Sequence, residues 1–291
     1  MFKFESLRRF FKHKYPADEA IMSSIPDEPV EPVVTFGISL ASAMTGNWAH
    51  TCQMLEYTLS CVLGQTDSRL RVLIYGHEKP ASYLLDDPRV EFIECSWKRP
   101  EKTDEYRFDK KHKRLIIGNR LRELGGGYFM PLDADDLVCK DLVEYVLRDD
   151  NKTGYSIRQG YALDWNNRRL APVPGAWDAT FDQVCGSSAV FYFNICDLPV
   201  NGIANPDIKF NAFIHHAYWR VTSQELGRPL ADIPFPAAIY VLNHSDNLSF
   251  KIQRNNLRQQ TIIKNILQNQ ISEADEVYQR FSLKNLMCSR Q

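Results

Sequence analysis

Apolar residues in this chain alternate between short unbroken runs and longer stretches spaced at three and four positions. VVTFGISLAS (33–42) predicts a first strand, and WAHTCQMLEYTLSCVLGQ (48–65) a helix with one apolar face. RLRVLIYG (69–76) predicts a second strand and VEFIECS (90–96) a third. The charged stretch FDKKHKRLIIGNRLRELGG (108–126) predicts a helix that its glycines terminate, and YFMPL (128–132) a buried strand directly behind it. Strands alternating with helices imply an α/β fold, a doubly wound and mostly parallel sheet with helices on both faces.

After the fourth strand the rhythm changes. LVCKDLVEYVL (137–147) predicts a helix, whereas residues 154–193 hold short strand-like pieces separated by Gly, Pro and Asn. These predict a sheet extension or loops over a ligand. NAFIHHAYWRVTSQELGRPL (211–230) is helix-like and leads into PFPAAIYVLNHSDNLSF (234–250), an apolar strand ending on polar residues. The remainder predicts a polar C-terminal helical tail that packs across the domain and carries no chemistry. Three parts result: an arm and linker (1–32), a catalytic domain (33–250) and a C-terminal helical extension (251–291).

The arm differs in character. In MFKFESLRRFFKHKY (1–15), Phe2, Phe4, Leu7, Phe10 and Phe11 interleave with Lys3, Arg8, Arg9, Lys12 and Lys14. A short basic amphipathic helix suits an anionic membrane surface, or alternatively an arm docked on its own domain. The following PADEAIMSSIPDEPVEPV is a linker whose prolines and acids oppose regular structure.

Composition narrows the function classes. With 291 residues, 44% apolar and 24% charged, the chain can bury a large core. A formal net charge of -1 argues against a nucleic-acid-wrapping surface. Seven cysteines without close-paired spacing read as reduced thiols rather than zinc ligands or a disulfide framework. No stretch approaches the ~20 apolar residues that span a bilayer. The expected location is therefore the cytoplasm, with peripheral contact at the inner membrane face through residues 1–15.

The densest chemistry lies in YFMPLDADDL (128–137), where an apolar strand breaks into Asp133, Asp135 and Asp136. Open α/β sheets bind ligands where strands end. Three acids in four residues raise one another's pKa, a cost that a divalent cation held by oxygen ligands would remove. The alternative is a solvated strand-to-helix turn in which Asp135 or Asp136 caps the helix that follows.

The order of these pieces resembles the GT-A glycosyltransferases, particularly the family-two-like enzymes that build bacterial surface polysaccharides. The resemblance covers roughly residues 33–249. It rests on the first strand and the helix ending in SCVLGQT, on the basic helix leading into GGGYFMPLDADD, and on the later strand with His244. It implies a nucleotide sugar donor, a UDP-sugar first, a saccharide or lipid-linked saccharide acceptor, and Mn²⁺ or Mg²⁺ as cofactor. Carried onto this chain, Asp133 approaches the ribose and Asp135 the metal, with Asp136 assisting and His244 as a further ligand oriented by Asp246 or Asn247. Lys110, Lys113 and Arg114 present cations to the diphosphate, Lys110 and Arg114 sharing a helix face. Residues 35–42, Ser39 among them, lie at the nucleoside edge, as does His77.

The chain departs from the family at the catalytic base. The Glu-Asp pair expected before a helix is replaced by His215 and His216, either of which can serve as a general base. Capping bonds at a helix start are the competing role. Asp178, Asp182 and Asp207 are alternative bases, and Trp165, Trp177 and Trp219 offer faces for a sugar ring. A sugar nucleotidyltransferase is the other enzyme reading, although LASAMTGNWAH lacks the glycine-rich basic loop such enzymes use. A catalytically inactive GT-A-like binding module is the third.

Overall fold

Strands form where the apolar runs stand. In the computed structural model, which describes residues 32–200, 209–212, 216–244, 256–272 and 274–283, β1 is Val34–Ser39, β2 Leu70–Gly76, β3 Val90–Glu94 and β4 Gly127–Leu132. Between them run α1 (Trp48–Leu63) and the long α2 (Thr103–Glu123). Then follow β5 (Leu137–Val138), α3 (Leu142–Asp149), β6 (Tyr155–Ser156), β7 (Gly160–Asp164), β8 (Arg169–Val173), α4 (Phe181–Val184) and β9 (Ala189–Phe193). Later elements are α5 (Lys209–Ala212), α6 (Trp219–Glu225), β10 (Ala231–Asp232), β11 (Ala238–Leu242), α7 (Asn256–Gln268) and α8 (Asp275–Arg280). The predicted amphipathic arm (1–15) and its linker up to residue 31, with Asp207, His215, Asp246 and Asn247, lie outside the described residues.

The main sheet runs β10-β6-β9-β4-β1-β2-β3, with β1 parallel to β2 and β4, and β2 parallel to β3. The chain steps outward from β1 to β3, then α2 carries it back to β4 on the other side of β1. Strand order therefore reverses between β1 and β4, and the carboxyl ends of strands at such a reversal are where open α/β sheets bind ligands. Beyond β4 the sheet becomes mixed, because β9 pairs antiparallel with β4 and β6.

The central strands β1, β2 and β4 are buried on both faces, as their unbroken apolar runs require. Val34, Phe36 and Ile38 pack with Met54, Leu55 and Leu59 of α1 and with Val143 and Val146 of α3. On the opposite face Leu73, Tyr75 and Phe129 meet Leu115, Ile117 and Leu121 of α2. Each such side chain contributes about 1.5–3 kcal/mol by leaving water. Gly37 lets α2 approach closely, since a Cβ there would stand 2.5 Å from the Phe129 ring and 3.0 Å from Ile117. At the end of α2, Gly125, Gly126 and Gly127 all take positive φ, turning the chain into β4.

Two predicted elements are corrected. Residues 137–147 are not one helix: Leu137 and Val138 form β5, antiparallel to β11, and α3 starts only at Leu142. Backbone pairing with a strand a hundred residues away overrides local helix propensity here, so neither Asp135 nor Asp136 caps a helix. The segment 211–230 breaks similarly, with a 3₁₀ turn at His216–Tyr218 ahead of the short α6. A second, four-stranded sheet, β5-β11-β7-β8, was not anticipated either. It matters for the site because β11 delivers His244. The C-terminal tail does pack on the domain: Ile266, Phe281 and Leu283 are buried in the main core, and Lys140 N–H bonds the Arg280 carbonyl at 3.0 Å. Among the described residues no helix is long and apolar enough to cross a membrane.

Candidate active site

The Asp133–Asp136 turn hangs from the carboxyl end of β4, at the strand-order reversal, and is held from three sides. The Thr58 hydroxyl of α1 reaches the carbonyls of Ala134 and Asp136, both at 2.9 Å. Ser187 accepts from the Asp133 N–H at 2.9 Å and donates to Asp136 Oδ2 at 2.6 Å. Asp136 Oδ2 also takes the Cys185 thiol at 3.2 Å, and Asp136 Oδ1 the Val241 N–H at 3.2 Å. Asp136 is fully buried with both oxygens engaged. Burial, and then the charges of Asp135 and Asp133, push its carboxyl well above the ordinary carboxylate range.

Asp133 and Asp135 differ, for their side chains keep 23% and 24% of their surface accessible. Asp133 is gripped by α2: Lys110 Nζ lies 2.7 Å from Oδ1 and 2.8 Å from Oδ2, and Arg114 Nη2 3.4 Å from Oδ1. Burial alone would raise its pKa, but the Lys110 and Arg114 charges outweigh it and hold Asp133 at about 2. Asp135 Oδ2 is paired with His244 Nε2 at 2.8 Å, and the His50 ring packs on His244 with centroids 5.2 Å apart.

A divalent cation fits this donor set. Oxygens of Asp133, Asp135 and Asp136 lie within 4.8 Å of one another, and hard oxygens suit Mg²⁺ or Mn²⁺. Asp133 and Asp135 keep accessible surface there and His244 lies against Asp135, whereas Asp136 is buried with both oxygens engaged, which fits it to orienting the turn. Gly186 lies beside this cluster, for a Cβ there would stand 3.4 Å from Asp133 Oδ2 and 3.9 Å from both Arg114 Nη2 and His216 Nδ1, all ordinary contact distances. His216 is half-buried there, and burial lowers its pKa against the opposing pull of Asp133.

Comparisons with known proteins add little to this geometry. No protein family matches the chain, and no curated protein does. Among solved structures, 4-diphosphocytidyl-2C-methyl-D-erythritol synthase is similar with a TM-score of 0.37 and 11% identity, over 82% of this chain and 100% of that one. The apo form of glycosyltransferase GlyE of Streptococcus pneumoniae TIGR4 is similar with a TM-score of 0.32 and 11% identity, over 90% of this chain. This chain spans about half, 52%, of GlyE. Neither likeness assigns a family or an activity.

The structure thus gathers Asp133, Asp135, Asp136, Lys110, Arg114, His216 and His244 around the end of β4. Lys113 and His77 fall elsewhere. Lys113 Nζ, fully buried, donates to the Leu40 carbonyl at 2.7 Å and to Asp109 Oδ2 at 2.6 Å, while His77 Nε2 meets Asp109 Oδ1 at 2.9 Å. Ser39 ends β1 with its hydroxyl buried and without a hydrogen-bond partner among the described residues. Of the alternative bases, Asp182 is buried on α4 and Asp178 is exposed in the preceding turn. Trp219 is core, edge-on to Phe191 at 5.1 Å, and Trp165 is covered by the Arg168 guanidinium at 3.9 Å. Neither offers a sugar a bare face, and Trp177 is half-buried against the core.

Sequence reasoning missed Thr58, Ser187, Cys185, Gly186 and Asp109. The CGSS run at 185–188 was visible as a small polar break before β9, the one signal that could have drawn attention to it.

Proposed function

We propose that the chain is a metal-dependent glycosyltransferase that moves a sugar from a nucleotide diphosphate sugar, a UDP-sugar first, to a saccharide or lipid-linked saccharide acceptor. The observation that carries this reading is the convergence of two accessible carboxylates, Asp133 and Asp135, with Lys110 and Arg114 at the strand-order reversal. Asp135, Asp133 and His244 would hold Mn²⁺ or Mg²⁺, which supplies a Lewis acid for the departing diphosphate. Lys110 and Arg114 balance the remaining phosphate charge, at present spent on Asp133. Asp133 is then released toward the ribose.

His216 is the base in this reading, with His215 as its neighbour in sequence. A histidine whose pKa is lowered by burial is neutral at pH 7 and ready to accept the acceptor hydroxyl's proton. The rate, which needs that neutral form, should fall on acidification only below pH ~6.5, the ordinary histidine value. A pH profile of turnover checks this: an acid limb centred above that value would remove His216 from the role.

Incubation with a panel of nucleotide sugars, Mn²⁺ and candidate acceptors tests the reaction class. Release of a nucleoside diphosphate supports it. Pyrophosphate release from a nucleoside triphosphate and a sugar phosphate would replace it with nucleotidyl transfer, and silence toward every donor with a non-catalytic module.

A further inference from the structure

Helix α2 carries two parallel pairs of residues at i, i+4 spacing, and they grip different parts of the sheet. Lys110 and Arg114 reach Asp133 behind β4. Asp109 and Lys113, one residue earlier in each case, reach the ends of the other three parallel strands. Lys113 Nζ donates to the carbonyl of Leu40, next after β1, at 2.7 Å. His77 Nε2, next after β2, lies 2.9 Å from Asp109 Oδ1, and Trp97 Nε1, beyond β3, donates to the same oxygen at 3.0 Å. Asp109 Oδ2 takes Lys113 Nζ at 2.6 Å. Side-chain exposures of 2%, 7% and 1% for His77, Asp109 and Lys113 put the network out of solvent. The Trp97 ring stacks on Tyr75 at 5.7 Å and meets His112 edge-on at 4.3 Å between centroids.

Burying an ion pair is a costly way to stabilise a fold, since apolar residues of the same shape do as well or better. What the pair does supply is direction. Asp109 is bonded to His77 and Trp97 from two separate loops, and Lys113 to the Leu40 carbonyl after β1, which together set the rotation of α2 about its axis. Neighbouring residues in a helix are about 100° apart, so fixing Asp109 and Lys113 also fixes where Lys110 and Arg114 point.

We propose that Asp109, with Lys113, is a positioning residue that fixes the rotation of α2 so that Lys110 and Arg114 face the diphosphate of the donor. The inference rests on the reading of Lys110 and Arg114 as diphosphate ligands. It also gives Lys113 a part different from the phosphate contact its sequence neighbours suggest.

A double-mutant cycle separates positioning from plain stabilisation. UDP affinity with Mn²⁺ is measured by calorimetry for the full chain and for Lys110→Ala, each in the native background and in Asp109→Leu/Lys113→Met. The double replacement removes both charges together, leaving no lone buried ion, and circular dichroism verifies that it folds. In the native background Lys110→Ala should weaken UDP binding about tenfold, as expected for a lost charge-assisted bond. In the altered background the same change should cost less than about twofold, because Lys110 no longer faces the ligand.

An equal cost in both backgrounds overturns the positioning role and leaves the diphosphate cradle standing. No cost in the native background, or no UDP binding at all, overturns the cradle and the positioning with it. If the double replacement does not fold, Trp97→Phe serves as the background, removing one bond to Asp109. There the Lys110→Ala penalty should shrink by about half, and an unchanged penalty again rejects the proposal.

Discussion

Asp135→Ala should lower metal-dependent turnover by about 10³-fold, roughly 4 kcal/mol of transition-state stabilisation, while leaving the fold intact. The carboxylate is one of two at the site with accessible surface, and its partner His244 is held by the His50 ring. Deleting it removes the 2.8 Å contact to His244 Nε2, a loss confined to the end of β11. Stability should therefore drop by no more than about 1–2 kcal/mol, the range for one lost charge-assisted bond at a partly wet position. Manganese paramagnetic resonance provides the matching readout: the bound fraction seen with the native chain should vanish. Native-like turnover or metal binding in the variant would remove Asp135 from the site.

Asp136→Ala should act in the opposite way, on stability first. Its oxygens satisfy the Ser187 hydroxyl, the Cys185 thiol and the Val241 N–H, all out of solvent. Removing the carboxyl strands those donors and opens a small void, together worth about 2–4 kcal/mol at ~1–3 kcal/mol for a buried polar group left unmade. The pH dependence has a definite sign. Because the folded pKa is raised, the native Asp136 holds its proton more tightly folded than unfolded, and its contribution is fully present below the ordinary carboxylate pKa. It is lost as pH rises toward the folded value. Denaturant titrations should consequently show the native-minus-variant gap at its largest near pH 4 and shrinking upward. A gap that widens with pH would mean that Asp136 is ionised in the fold.

These opposite expectations for two adjacent aspartates show where the sequence stops being informative. The apolar runs of β1, β2 and β4, the helical spacing of α1 and the three glycines after α2 were readable because each depends on residues close in the chain. So was the acidic turn at the end of β4. What distinguishes Asp136 from Asp135 is contact with groups 49, 51 and 105 residues along the chain, and no local pattern encodes that.

Lys110 and Lys113 make the same point on a helix. Their charge and neighbourhood in sequence are alike, yet one reaches the aspartate turn and the other is buried under the ends of three strands. The rotation of α2 decides, and it is set by His77 and Trp97 from separate loops. The second sheet was illegible for a related reason. β5 is two residues long, too short for any periodicity, and exists only because β11 pairs with it.

Calorimetric titration of UDP into the full chain, with Mn²⁺ and again with the ion chelated, tests the central claim most directly. The arrangement of Asp133 and Asp135 beside Lys110 and Arg114 predicts saturable one-to-one binding that weakens at least about tenfold when the metal is withdrawn. Equal affinity under both conditions, or no heat of binding in either, would contradict it.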